Sequence, residues 1–203
     1  MNTTRRTFIK SGAALLAAAA VMPGELLASK KQKKGIIAIQ LYSIRADMSK
    51  DPLGSLKKVA EMGYEYVEHA NYVDRKFYGY SPKEFRKVLD DLGLNMISGH
   101  TVMGPEHWDE SKNDFSDSWK YTVDDAAVLG QKYVVSPSMD NSMRNKYDDF
   151  MRYMEIFNKC GDLCKNQGMK FGYHNHAFEF NEKLNNEKLF DIMMRSMDPD
   201  KVV

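Results

Sequence analysis

From Gly35 onward the chain alternates short apolar runs with amphipathic stretches of helical period, and this rhythm restricts the fold more than any other feature. "GIIAIQLYSIR" (35–45) reads as a strand. "DPLGSLKKVAEMG" follows, with Leu53, Leu56, Val59 and Ala60 on one helical face and Gly63 as a stop. Next come the strand "YEYVEHA" (64–70) and the helix "SPKEFRKVLDDLG" (81–93), with Ser81 as N-cap and Pro82 in the first turn. The strand "LNMISGH" (94–100), a helix over 115–130, the strand "KYVVSPS" (132–138) and a helix over 147–168 repeat the pattern. "KFGYHNHAFEF" (170–180) opens as a fifth strand. A helix over 187–197 then runs into "DPDKVV", where another strand begins. Short buried strands alternating with helices mean parallel βαβ units.

Two architectures have this rhythm, a (β/α)8 barrel and an open doubly wound sheet. The first strand-to-helix turn reads "SIRADMSKDP" and has no glycine-rich phosphate loop of the dinucleotide type. The expectation is therefore an α/β fold of the (β/α)8 TIM-barrel kind, represented by about five and a half β/α units. No composition break divides residues 29–203, which read as one partial barrel domain.

The balance of charge narrows the partners. The formal net charge is +1, which argues against a nucleic-acid backbone as ligand. Cys160 and Cys164 sit four apart in a helical stretch, a poor disulfide geometry, and no second pair completes a zinc site. They read as small core residues.

Residues 1–28 follow a different logic. Arg5 and Arg6 precede an apolar run from Gly12 to Met22 that is too short to span a bilayer comfortably, and small residues follow near Ala28. "TRRTFIK" resembles the twin-arginine export motif, with Thr4, Arg5, Arg6, Phe8 and Lys10 in register. This predicts a signal peptide, a periplasmic destination and no stable membrane span after cleavage.

The histidines fall where a barrel would use them. His69, His100, His174 and His176 lie at the carboxyl ends of the expected strands, and His107 follows the third. Barrel active sites occupy that rim. Glu68 precedes His69, and Glu179 closes the fifth apolar stretch. Strand alternation puts Tyr66 with Glu68, Ser98 with His100, and His174 with His176 on shared faces. Imidazole and carboxylate converging there suit a borderline cation and a polyol.

With those residues placed, the chain resembles the sugar phosphate isomerase/epimerase family, the xylose isomerase-like TIM barrels. The resemblance rests on "IAIQLYSIR", "GYEYVEHA", "NMISGH" and "FGYHNHAFEF". It implies an isomerase or epimerase that removes a proton next to a carbonyl and passes through an enediolate. It also implies a divalent ion (Mn, Co, Mg or Zn) and a small sugar or cyclitol as substrate. Carried over, it puts Glu68 and His100 against the substrate, His174 in the place of a metal-binding glutamate, and His176 on the family's histidine. Glu179 would then serve as both base and metal ligand, with His176 beside it in catalysis. The histidine in a glutamate's place also resembles inosose dehydratases and keto-sugar lyases, a second enzymatic reading. A non-catalytic periplasmic carbohydrate-binding protein is a third. The family's remaining ligands lie on strands that would follow Val203, so this chain alone is expected to show little activity. Its open strand edges predict self-assembly.

Overall fold

A computed structural model describes residues 37–203; the expected leader lies outside them. Five parallel strands form one sheet: β1 (Ala38–Gln40), β2 (Tyr66–His69), β3 (Asn95–His100), β4 (Tyr133–Ser136) and β5 (Lys170–Tyr173). They lie side by side in chain order, without the reversal of strand order that marks a doubly wound sheet. The start of a sixth strand is also present. Val202 bridges Phe171 in parallel, and the Val203 N–H donates to the Phe171 carbonyl at 3.0 Å. This is the α/β, TIM-barrel wall that the alternating pattern predicts.

The helices are α1 (Arg45–Lys50), α2 (Pro52–Glu61), α3 (Pro82–Asp91), α4 (Asp117–Val128), α5 (Tyr147–Asn166), α6 (Phe178–Asn181) and α7 (Leu189–Ser196). Their ends are set by local chemistry. The Asp51 carboxylate accepts from the Gly54 N–H at 2.9 Å and starts α2. Ser81 and Glu84 form a reciprocal capping box at α3. Past the end of α3, Gly93 adopts φ +68°, a left-handed conformation that suits glycine.

Alternate strand residues face the helices. Val67, Met96, Val134 and Phe171 are all buried there. Phe171 packs between Trp119 of α4 and Phe157 of α5, with ring centroids 6.2 and 5.2 Å away. A second cluster holds Leu41, Leu56, Phe85 and Leu89 beneath β1 and β2. Cys160 and Cys164 are buried and free, and burial pushes both thiols above their ordinary range. They are core residues, as their spacing suggests. Among the described residues no helix is long and apolar enough to cross a membrane.

Two strands are shorter than their apolar runs. β1 stops at Gln40, and Leu41–Ile44 turns into a 3-10 helix. The Gln40 side chain accepts from the Tyr42 N–H, capturing a donor that a longer strand would have spent on its neighbour. β5 stops at Tyr173; the His174 N–H still reaches the Ser136 carbonyl at 3.0 Å, and the chain then turns into α6. Tyr72–Val73 and Lys76–Phe77 form a small antiparallel hairpin after β2.

Candidate active site

At the carboxyl ends of the strands lies a cavity of about 1040 Å3, bordered by Gln40, Asn71, His100, His107, His174 and His176 among others. Gln40 and His100 on its lining belong to a hydrogen-bonded row across the first three strands. Gln40 is in register with Glu68, and Glu68 with Ser98. A register shift between Val67 and Glu68 creates the second match, because regular pairing from Val67 opposite Met96 would have put Glu68 beside Ile97. One Glu68 oxygen accepts from Ser98 Oγ, and the other lies 3.1 Å from His100 Nε2. Gln40 Nε2 lies 3.1 Å from His100 Nδ1. Burial lowers the His100 pKa; the neighbouring Glu68 pulls the other way, and His174 and His176 add to the lowering.

The other imidazoles approach from β5. His174 stands edge-to-face against His100 with centroids 5.0 Å apart, and His176 lies 5.0 Å from His174. Both are exposed, and no protein hydrogen bond engages their ring nitrogens among the described residues. His107 packs on Trp119 at 5.2 Å, and its Nδ1 accepts from the Gly104 N–H at 3.1 Å. Burial lowers its pKa too.

Thus Glu68, His100, His174 and His176 come together from strands two, three and five. Two other expected rim residues do not join them. His69, despite its strand-end position, points into the core at 2% exposure, edge-on to Phe77 at 4.8 Å. Burial, helped by the charge of His100, lowers its pKa to about 3. Strand alternation explains the separation: Glu68 and His69 are consecutive and must face opposite ways.

Glu179, expected as base and metal ligand, falls in α6 at 1% exposure because β5 ends six residues earlier. Its two oxygens accept from Tyr173 Oη at 2.6 Å and from the His176 N–H at 2.7 Å. It therefore braces the loop carrying His174 and His176 from below. The same bond, after burial, raises the Tyr173 pKa.

One wall of the cavity depends on a contact that spacing alone cannot announce. Arg75, at the tip of the Tyr72–Phe77 hairpin, makes a two-pronged pair with Asp125 of α4 at 3.0 and 2.8 Å. Tyr72 Oη donates to the same carboxylate at 2.7 Å, and the Arg75 guanidinium lies over the Tyr121 ring. Asp125 is 3% exposed, so this is a buried acceptor with its donors in place. Gln40 was also missed, although a lone amide inside an apolar run was a readable signal.

The donors present do not by themselves fit a divalent ion. Among the described residues, no three His, Cys, Asp or Glu side chains are grouped to hold one. Of the residues expected to hold one, Glu179 is buried against Tyr173 and the His176 N–H; both ring nitrogens of His100 also have protein partners, which leaves His174 and His176 with open nitrogens.

Comparison with known proteins adds the family. A sugar phosphate isomerase/epimerase from Parabacteroides distasonis ATCC 8503 is similar at 26% identity and a TM-score of 0.72, over 87% of this chain and 69% of that one. A second from the same organism is similar at 31% identity and a TM-score of 0.70, over 82% and 66%. A D-psicose 3-epimerase solved in the presence of D-fructose shares the fold at 18% identity and a TM-score of 0.50, over 76% and 57%. The chain thus matches about two thirds of the length of the two Parabacteroides proteins. No curated protein matches it. The Xylose isomerase-like TIM barrel family matches residues 56–202, from α2 to the sixth strand, and the chain belongs to that family.

Proposed function

We propose that this chain serves a sugar isomerase or epimerase that removes a proton next to a carbonyl and returns it at a neighbouring position or from the opposite face. The observation that carries this reading is the pair of exposed imidazoles, His174 and His176, held over the His100–Glu68–Ser98 row at a barrel rim. An imidazole with an open ring nitrogen can take a carbon-bound proton near neutral pH and give it back. Asn71 and Ser138, also on the cavity lining, offer neutral donors and acceptors for hydroxyls. The similarity to two sugar phosphate isomerase/epimerase structures supports the same chemistry.

Incubation of the full-length protein with keto sugars in heavy water tests the proposal. Exchange of the α-proton, lost on His174→Ala, is the expected result; no exchange across a broad panel, with and without added Mn2+, Co2+, Mg2+ or Zn2+, overturns it. The ion enters only as a variable of the test. The burial of Glu179 favours a second reading, because an imidazole base without a carboxylate partner also suits elimination from a keto sugar or inosose. Loss of water or of an aglycone in the same panel separates the two. We further propose export by the twin-arginine route, on the strength of Arg5 and Arg6 ahead of the apolar run.

A further inference from the structure

We infer that Gln40 is a positioning residue that fixes His100 as the neutral tautomer protonated on Nε2, so that His100 acts as a rigid wall for His174 and leaves proton transfer to the exposed imidazoles.

The inference follows from donor and acceptor logic along one chain of contacts. A backbone N–H can only donate, so the Gln40 atom facing the Tyr42 N–H is the amide oxygen. The other end of the amide is then NH2, and it lies 3.1 Å from His100 Nδ1. An NH2 group can only donate, so Nδ1 must present a lone pair. The ring proton is therefore on Nε2, which faces a Glu68 oxygen at 3.1 Å. The remaining Glu68 oxygen accepts from Ser98 Oγ. Each donor meets an acceptor; turning the amide over would set its NH2 against the Tyr42 N–H, and moving the ring proton to Nδ1 would set it against the Gln40 NH2.

Both nitrogens of His100 are thereby occupied, and the ring is held in one plane between β1 and β2. His174 packs on that plane with an interplanar angle of 71°. The His174 backbone is fixed from the other side by the Ser136 carbonyl, and the following loop by Glu179. The open imidazoles thus stand on a scaffold whose protons do not move. Gln40 sits where β1 ends, and the 3-10 turn that ends the strand supplies the N–H that orients it. The same turn that shortens the strand therefore sets the tautomer of a residue sixty positions later.

The kinetic consequence rests on the isomerase reading; the tautomer does not, and the test keeps them apart. Long-range 1H–15N spectra of the full-length protein, with His100 assigned through His100→Gln, report which ring nitrogen carries the proton. A protonated Nε2 with a bare Nδ1 at pH 7.5 is expected; a protonated Nδ1 overturns the inference. In Gln40→Glu the amide donor is replaced by an acceptor of the same length, and Nδ1 is expected to gain a proton. A bare Nδ1 in that variant would also overturn it. Where α-proton exchange is measurable, Gln40→Glu is expected to lower kcat at least tenfold with KM changed less than threefold. A spectrum as expected with no exchange in the wild type would defeat the isomerase reading and leave the role of Gln40 standing.

Discussion

His69 shows how one residue can carry both a packing cost and a pH response. A methyl group built on Gly99 would lie 1.8 Å from His69 Nε2, so this glycine exists to leave room for a buried ring. Gly99→Ala is expected to cost about 2–3 kcal/mol in chemical denaturation. His69→Ala in the same background should recover most of it, and additive losses would show that the two sites do not meet. The ring also sets an acid limit. Its folded pKa of about 3 lies below the ordinary 6.5, so the unfolded chain binds the extra proton first. The neutral ring's contribution is complete above pH 6.5 and is lost as pH falls from 6.5 towards 3. The slope approaches about 1.4 kcal/mol per pH unit. His69→Leu should flatten that limb of the stability curve; an unchanged limb would assign it to other groups. Neither property was readable beforehand. A strand-end histidine next to a glutamate looks like a rim residue until alternation is anchored to a particular face.

At the scale of elements, the hairpin between β2 and α3 decides whether the cavity has a fixed wall. Its tip holds Asp74 and Arg75 at φ +49° and +61°, a bend that costs free energy and persists because Arg75 docks on Asp125. Arg75→Ala leaves a buried carboxylate with only Tyr72 as partner. The expected outcome is a lowered thermal midpoint together with faster proteolysis within residues 72–77. Arg75→Met with Asp125→Leu should restore the midpoint but not the protease resistance of the hairpin. Unchanged proteolysis of the hairpin in Arg75→Ala would show that the ion pair does not hold the loop. The helices and strands of this region were legible from period and caps, since α3 starts directly after its Ser81 cap and ends before Gly93 as its signals indicate. The hairpin was not. Its two-residue strands carry no periodicity, and its anchor lies fifty positions away.

For the whole molecule, the proposed leader and the barrel wall make separate demands. Export by the twin-arginine route predicts that Arg5→Lys with Arg6→Lys retains the protein in the cytoplasm, as read by fractionation of a bacterial host. An unaltered periplasmic fraction would point to another route. The barrel wall makes its own demand, because parallel strands need covered faces and paired edges. Val202 and Val203 begin to cover the edge of β5.

The order of strands and helices, the core placement of Cys160 and Cys164, and the gathering of His100, His174 and His176, though not His69, at one rim were determined by the sequence alone. Period, caps and strand ends are local properties, and a parallel sheet laid in chain order brings its carboxyl ends together whatever the details. Tertiary structure alone decided which neighbours became partners. A one-residue register shift turned Glu68 to Ser98, a capped turn aimed Gln40 at His100, and an early strand end sent Glu179 beneath the loop it was expected to crown. Those choices depend on bonds between residues far apart in the chain, and hydrophobic pattern carries no record of them.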